Sequence, residues 1–594
     1  MNDFTQKTLV DLVLHRAKVQ PLDMAYTFLR DGDRDEDVIT YADLDRRSRA
    51  VAAQLQSLEL KEKTVLLQFE SSIEYIVSFF GCILAGAIAV TSFPHRSRRM
   101  LPRLQAMVED SGVQTVLSTE VILRDLQETD LFADLNLICL ESISNDLADE
   151  WQHYAAADET PAFLQYTSGS TSNPKGVVVT HSNILANQRM IDVGFGHDRQ
   201  SLVAGWLPLF HDMGLIGNTI QPLYLGSGCV FMSHRQFLMR PFRWLDAISR
   251  YGAHTSGAPN FAYDFCTDKV TSDEMERLDL TSWKVAYIGA EPVRMDTLKR
   301  FAAKFKACGF DYDAFLPCYG LAEATLFVSG GPKSELPTAL KLSASALEQD
   351  RVIEHDHGQP QKTRSLVGCG ESWLDGRIAI VNPDTCAECS ENEVGEIWVA
   401  GPHVAAGYWN QAEATATTFR ARIVGDEETD YLRTGDLGFL RAGELFVSGR
   451  CKDVIIIRGR NLYPQDIEHT VQRAHPHFEL NGSTAFSVEF EGEEHLVVVQ
   501  EVQRAHRRTI KKQKAIDAIR VAVTSEYDVQ AYDIVLCNVG TVPKASSGKL
   551  QRGTCRAAYL SESLATLSCT VTRAGEIVRD YALPRHSNLE LQSG

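Results

Sequence analysis

Short apolar runs punctuate the first two thirds of the chain: Thr64-Val-Leu-Leu-Gln-Phe69, Thr115-Val-Leu-Ser118, Leu137-Ile-Cys-Leu140 and Lys284-Val-Ala-Tyr-Ile288, with helically spaced stretches between them. Runs apolar at nearly every residue are strands buried on both faces, so the alternation predicts βα units around mostly parallel sheets. From Arg377 the pattern shifts to hairpin-forming runs, Arg377–Val381, Gly395–Ala400, Tyr431–Arg433 and Glu444–Val447. A smaller unit then begins near Lys452, with strands expected over Val454–Ile457, Ser483–Val488 and His495–Glu501 and a helix from about Lys514 to Tyr527. The predicted class is therefore α/β. A large amino-terminal body of stacked βα sheets with a small β-barrel-like region spans 1–450, a small mobile α+β lid spans 451–566, and a tail without clear period, 567–594, is expected to be partly mobile.

The segment Tyr75–Phe93, followed by His95, Arg96, Arg98 and Arg99, has the length and basic flank of a membrane span. Gly81, Gly86, Ser78 and Thr91 interrupt it, and β-branched residues gather only after Gly86. It reads as a buried helix to about Leu84, a turn, and a buried strand Ala87–Phe93, so no transmembrane segment is expected.

The formal net charge of −19 argues against nonspecific nucleic-acid binding and leaves any anionic nucleotide dependent on local lysines and arginines with a divalent cation. Thirteen scattered cysteines and an amino terminus without the regions of a secretory signal fit a cytoplasmic protein with reduced thiols. Cys386-Ala-Glu-Cys389 has the spacing of half a zinc site, but no second pair follows at ribbon spacing, and His355 and His357 read as surface-loop histidines.

Two hydroxyl-rich loops carry a lysine each: Tyr166-Thr-Ser-Gly-Ser-Thr-Ser-Asn-Pro-Lys-Gly176 and Pro543-Lys-Ala-Ser-Ser-Gly-Lys549. Backbone N–H groups, hydroxyls and an ammonium together suit polyphosphate oxygens. The first is not a Walker loop, because Pro174 stands where the second glycine belongs and Gly176 where Ser or Thr belongs. Phe163–Tyr166 leads in as a strand and Val177 onward leads out toward a helix capped by Ser182 or Asn183, giving a strand, phosphate loop, strand order.

Between and after these loops come Leu207-Pro-Leu-Phe-His-Asp-Met-Gly214, Ile288-Gly-Ala-Glu-Pro292, Cys318-Tyr-Gly-Leu-Ala-Glu323, Tyr431-Leu-Arg-Thr-Gly-Asp-Leu-Gly438, Gly449-Arg-Cys-Lys-Asp-Val454 and Arg458-Gly-Arg-Asn-Leu-Tyr-Pro-Gln-Asp-Ile-Glu468. In that order, over roughly residues 10–560, the series resembles the adenylate-forming superfamily of acyl-CoA synthetases, adenylation domains and luciferases. Within it the chain looks most like the fatty acyl-AMP ligases, a likeness strengthened by the stretch from about Glu335 to Arg364, placed like the insertion that separates those ligases from acyl-CoA synthetases.

The resemblance implies ATP and Mg²⁺ as cofactors and the following roles. Thr167, Ser168, Gly169, Ser170, Thr171 and Lys175 hold the β and γ phosphates, and Glu323 ligates Mg²⁺. Tyr319, with Gly289 and Ala290 opposite and Gly320 beside it, forms the adenine slot. Asp436 accepts from both ribose hydroxyls, supported by Arg450. His211 lines the acyl entrance, and Lys549 bridges the fatty carboxylate and the α-phosphate as a catalytic residue. Lys452 and Asp453 occupy the hinge. Ala322 departs from the threonine that many members carry before the metal glutamate, which removes a hydroxyl contact to phosphate.

The implied activity is conversion of a medium- or long-chain fatty acid to acyl-AMP and then transfer to the phosphopantetheine thiol of a separate acyl carrier protein, such as that of a polyketide or peptide synthase. The rivals are a fatty acyl-CoA synthetase and a catalytically silent nucleotide- or lipid-binding regulator. Retention of Lys549, Glu323 and Asp436 weighs against the last.

Overall fold

The structure, a computed structural model, describes residues 6–95, 101–166, 174–355, 362–457, 460–490, 493–544, 548–573 and 576–577. The described residues divide into two compact units, those within 6–341 and 365–448 in one and those within 342–364 and 449–577 in the other.

Two large sheets form the first unit. One runs, in spatial order, 327–330, 315–320, 285–288, 255–258, 203–205, 229–232, 24–29 and 36–40, parallel except for an antiparallel strand at each edge. The other runs 407–408, 176–180, 161–166, 88–91, 64–68, 115–118 and 136–139, with its central strands parallel. Three of the expected strands sit where the apolar runs lie and are buried at every residue, as at Thr64–Gln68 and Thr115–Ser118, whereas the fourth, Asn136–Cys139, is an edge strand in which only Ile138 is buried. A third, antiparallel sheet of 377–381, 395–400, 426–441 and 421–423, with 444–450 paired to the long strand, makes the hairpin region.

The ambiguous apolar segment resolves as helix Ile73–Ala85, Gly86 in the left-handed conformation at φ 73°, and strand Ile88–Thr91. Gly86 ends the helix because its conformation lies where a Cβ is penalised, and the next residues enter the sheet. No described helix is long and apolar enough to cross a membrane.

In the second unit a mixed sheet orders 478–490, 493–502, 531–538, 566–573 and 576–577. Alternate residues divide its faces, as period-2 geometry requires. Val498, Ile534 and Leu536 pack with Ile467, Val471, Ile516 and Ile519 from the helices Pro464–Arg473 and Lys512–Tyr527. Val497, Val499 and Val535 pack with Cys555 of the helix Arg552–Leu560.

Three expectations are corrected. The helix after the phosphate loop starts at His181 and is capped by Thr180, whose hydroxyl accepts from the Asn183 N–H while the Asn183 side chain accepts from the Thr180 N–H. A capping box satisfies two orphan donors at once, which a cap at Ser182 or Asn183 would not. Strand Thr566–Arg573 crosses the expected boundary at 566 and 567 and runs antiparallel to Ala531–Asn538, because the edge of that strand offers unpaired backbone groups. Residues 342–355 and 362–364, assigned above to the body, group with the second unit.

Candidate active site

The candidate phosphate loop lies between the two strands of a hairpin. Strands Pro161–Tyr166 and Gly176–Thr180 are antiparallel, with Tyr166 opposite Gly176. A Cβ on Gly176 would stand 3.0 Å from the Tyr166 ring, and the Tyr166 hydroxyl donates to Asp110 Oδ2 at 2.7 Å, so the base of the loop is closed tightly. Thr167, Ser168, Gly169, Ser170 and Thr171 lie outside the described residues.

Lys175, at the loop's exit, places its ammonium 4.5 Å from the centroid of the Tyr408 ring. The Tyr408 hydroxyl in turn donates to Glu323 Oε1 at 3.0 Å. Strand Gly407–Tyr408 delivers that ring by pairing with the loop's exit strand, Tyr408 opposite Val177. A cation and a carboxylate are thus held on one aromatic residue that the motifs did not single out. A glycine, Gly407, next to the aromatic pair Tyr408-Trp409 is the one trace in the sequence, and it is weak.

Glu323 sits in a forced turn. Gly320 tolerates no side chain, since a Cβ there would meet the Leu326 carbonyl oxygen at 1.8 Å. Thr325 takes φ 66°, a costly conformation for a β-branched residue, and its hydroxyl donates to the His403 carbonyl at 2.7 Å. The Ala405 N–H to Glu323 carbonyl bond, 3.0 Å, ties the turn to the segment leading to Tyr408.

Asp436 and Tyr319 meet across the unit. The Tyr319 hydroxyl donates to Asp436 Oδ2 at 2.8 Å, and both residues are buried. A buried carboxylate, Glu396, builds the turn that presents Asp436. It accepts from Trp398 Nε1 at 2.9 Å, from Arg433 Nε at 2.9 Å and from the Gly435 N–H at 3.1 Å. Gly435 takes φ 70°, and the Thr434 hydroxyl accepts from the Asp436 N–H at 3.1 Å. Gly289 and Ala290 follow the strand Val285–Ile288, which is parallel to the strand bearing Tyr319. Ala290 has φ 68°, and a Cβ on Gly289 would lie 2.7 Å from the Cys318 carbonyl oxygen, so bare backbone is required there.

His211 precedes a π-helix, Met213–Ile220, which the apolar pattern did not reveal. Its Nδ1 lies 2.5 Å from Asp212 Oδ1, which also accepts from the Met213 N–H at 2.7 Å. Gly214 is dictated by the Pro208 carbonyl, 2.0 Å from where its Cβ would be. Inside a helix of this rare kind, side chains are re-aimed relative to an α-helix, a frequent device at functional sites.

In the second unit, Arg450 ends strand Glu444–Arg450, and Lys452 and Asp453 lie in the single turn Cys451–Asp453 that follows. Asp453 Oδ2 accepts from Arg552 Nη1 at 2.8 Å, while Arg552 Nε and Nη2 donate to the two oxygens of Glu468 at 2.7 and 2.8 Å. Burial opposes the charge on Arg552, but the Glu468 and Asp453 carboxylates more than offset it and hold the guanidinium above its usual pKa. Arg552 lies three residues beyond Lys549, so one helix start serves the candidate hinge and the candidate catalytic loop. That loop is pinched by a Lys544–Leu550 bridge and by the Gln551 N–H to Pro543 carbonyl bond of 2.9 Å. Fully buried Glu501 accepts from Gly540 N and Val542 N at 2.8 and 2.9 Å and lies 3.5 Å from Lys544 Nζ, and the Asn481 side chain donates to the Gly548 carbonyl at 3.3 Å.

The segment 342–364 is bolted to the same unit. Glu348 receives both ends of the Arg460 guanidinium at 2.8 Å, Asp350 accepts from Asn461 at 3.0 Å, and Arg364 lies 2.7 Å from Asp466 with its guanidinium 4.0 Å from the centroid of the Tyr463 ring.

Among the described residues no group of three or more His, Cys, Asp or Glu side chains could hold a metal by itself. Cys386 and Cys389 lie in a hairpin connection, with the Cys386 N–H bonded to the Asn382 carbonyl at 2.9 Å. His355 is described, and His357 lies outside the described residues.

The model of the AMP-binding enzyme family matches residues 13–409, and that of the Disco-interacting protein 2-like AMP domain matches 452–569. The medium-chain-fatty-acid–[acyl-carrier-protein] ligase JamA of Moorena producens is 43% identical over 94% of this chain and 96% of its own length. The long-chain-fatty-acid–AMP ligase FadD32 of Mycolicibacterium smegmatis is 34% identical over 95% of each. Among solved structures, the fatty acyl-adenylate ligase of Legionella pneumophila, in complex with acyl adenylate and pyrophosphate, is 38% identical and matches with a TM-score of 0.75 over 95% of this chain and 98% of its own.

Proposed function

The chain belongs to the AMP-binding enzyme family, and from that premise we propose that it joins a medium- or long-chain fatty acid to AMP and passes the acyl group to an acyl carrier protein. It is an adenylate-forming ligase and uses ATP. The observation that carries the reading is the linked set Lys175, Tyr408 and Glu323, a cation and a carboxylate fixed beside the hairpin loop whose composition suits phosphates.

In the first half-reaction a carboxylate oxygen attacks the α-phosphorus, the bond to the bridging oxygen of pyrophosphate breaks, and charge spreads over the equatorial oxygens. Lys175 and the loop residues 167–171 take the β and γ phosphates. Glu323 would hold Mg²⁺, an ion that is commonly bound through one or two carboxylates together with phosphate oxygens and water. When bound, that ion supplies neutralising charge to the departing pyrophosphate. Asp436 accepts from the ribose hydroxyls, and Tyr319 offers its ring to adenine, with Gly289, Ala290 and Gly320 providing bare backbone. Arg450 supports the ribose, and His211 lines the acyl entrance. Lys549, an ammonium on a four-carbon stem, follows the charge between carboxylate and α-phosphate. In the second half-reaction the phosphopantetheine thiol attacks the acyl carbonyl and AMP leaves.

The carrier is a separate chain, such as that of a polyketide or peptide synthase. The setting is the cytoplasm, where the free cysteines described here stay reduced. An acyl-CoA synthetase would share the first half-reaction. The stretch from about Glu335 to Arg364, placed like the insertion that separates fatty acyl-AMP ligases from acyl-CoA synthetases, favours the carrier instead. Mass spectrometry of products from mixed fatty acids, with CoA and holo carrier protein in separate tubes, decides between them. The acyl thioester of the carrier protein is the expected main product, and rapid acyl-CoA formation would overturn the assignment.

A further inference from the structure

The strongest concentration of charge in this acidic chain has the opposite sign. Residues 503–514 contain Arg504, Arg507, Arg508, Lys511, Lys512 and Lys514 and no carboxylate, while the chain as a whole carries −19. All six are exposed, and Arg473, at the end of the neighbouring helix, is exposed as well. Arg504, Arg507, Arg508, Lys511 and Lys514 make no ion pair among the described residues.

The cations ride on a built platform. The His506 ring stacks on the His477 ring at 3.9 Å between centroids and 6° between planes. Gln503 bonds the facing segment twice, from its N–H to the His477 carbonyl at 3.0 Å and from its side chain to the Phe478 carbonyl at 2.9 Å. Ile510 turns inward, 8% exposed, into the core beneath. Only Ala505, Thr509 and Gln513 stand exposed between the cations, so the apolar anchors that a bilayer surface requires are missing.

Its position matters as much as its charge. Val502 pairs with Asn538 in neighbouring parallel strands, so the cationic loop and the loop that bears Lys549 leave the sheet side by side at the same end. Glu501, the residue before that exit, already holds the base of the lysine loop through Gly540, Val542 and Lys544.

We infer that the face formed by Arg473, Arg504, Arg507, Arg508, Lys511 and Lys514 docks an acidic carrier protein and steers its phosphopantetheine arm toward the Lys549 loop. The inference rests on the carrier reading above. Opposite charge on two surfaces speeds encounter and fixes register, and its contribution falls with salt.

The test compares the wild-type chain with R504E/R507E/R508E and with the milder R504Q/R507Q/R508Q, using ATP–pyrophosphate exchange with lauric acid, transfer to a phosphopantetheinylated acyl carrier protein, and transfer to free pantetheine. Exchange and pantetheine acylation are expected to stay within twofold of wild type in both variants, which also establishes that they fold. The KM for the carrier is expected to rise at least tenfold in the reversed variant and less in the neutral one, with kcat at saturating carrier retained. In the wild type that KM should climb with sodium chloride, and in the reversed variant the climb should vanish. An unchanged carrier KM in the reversed variant, or a wild-type KM indifferent to salt, would overturn the docking face. A wild-type chain that exchanges pyrophosphate yet loads no holo carrier would sink the carrier reading and the docking face with it.

Discussion

Tyr408 does two things at once: its ring meets the Lys175 ammonium and its hydroxyl meets Glu323. Tyr408→Phe removes only the second, so the rate of ATP–pyrophosphate exchange is expected to fall about tenfold with little change in the KM for ATP, the cost of one hydrogen bond to a charged acceptor. Tyr408→Ala should raise that KM as well. Lys549→Ala should lower the exchange rate on the order of a thousandfold while leaving ATP binding, measured by calorimetry, nearly intact. Most side chains in the site reading were legible because their motifs are contiguous: Cys318-Tyr-Gly-Leu-Ala-Glu323 carries an aromatic, a bare backbone position and a carboxylate within six residues. Tyr408 was not. Its partner Glu323 is 85 residues away, and no periodicity records a bond across that separation. The same holds for Glu396, whose burial and four donors make it a positioning carboxylate that composition cannot distinguish from a surface glutamate.

Strands that are apolar throughout were legible because burial on both faces leaves no polar position to blur them, as at Thr115–Ser118. Segments whose polar residues find internal partners were not. Glu348, Asp350 and Arg364 look like solvated charge in the sequence, yet they fasten 342–364 to Arg460, Asn461 and Asp466. Deletion of 335–364 is expected to raise acyl-CoA formation in the product assay while pyrophosphate exchange persists; unchanged CoA ester yield would refute a restraining role. Arg552 belongs to the same class of hidden ties. Arg552→Met would strand buried Glu468 without its partner and is expected to destabilise the second unit by about 3–5 kcal/mol in denaturant unfolding. If Lys452 is the hinge we propose, Lys452→Pro should spare acyl-AMP formation and block transfer, because proline fixes the backbone φ there. Equal loss in both half-reactions would contradict that role.

Across the whole molecule, four histidines of the first unit are held neutral. Burial lowers His181, His254 and His403 to about 4 and His197 to about 3, from a usual value of 6.5. Neighbouring Lys333 adds to the effect at His254 and His197. Below 6.5 the unfolded chain binds protons that the fold refuses, so the stability present above that pH is lost as pH falls toward 4. Calorimetry should show the melting temperature of the first unit declining through that interval, and His403→Gln should soften the decline. Division into two units was visible as a change of pattern near Lys452, and what pattern could not supply was the membership of 342–364, which depends on tertiary ion pairs. The central claim, that a fatty acid and ATP are converted to an acyl adenylate and pyrophosphate, is tested most directly by incubating the chain with ATP, magnesium and lauric acid and following the return of labelled pyrophosphate into ATP. The account predicts fatty-acid-dependent incorporation that disappears in Lys549→Ala; no incorporation with any aliphatic acid would contradict it.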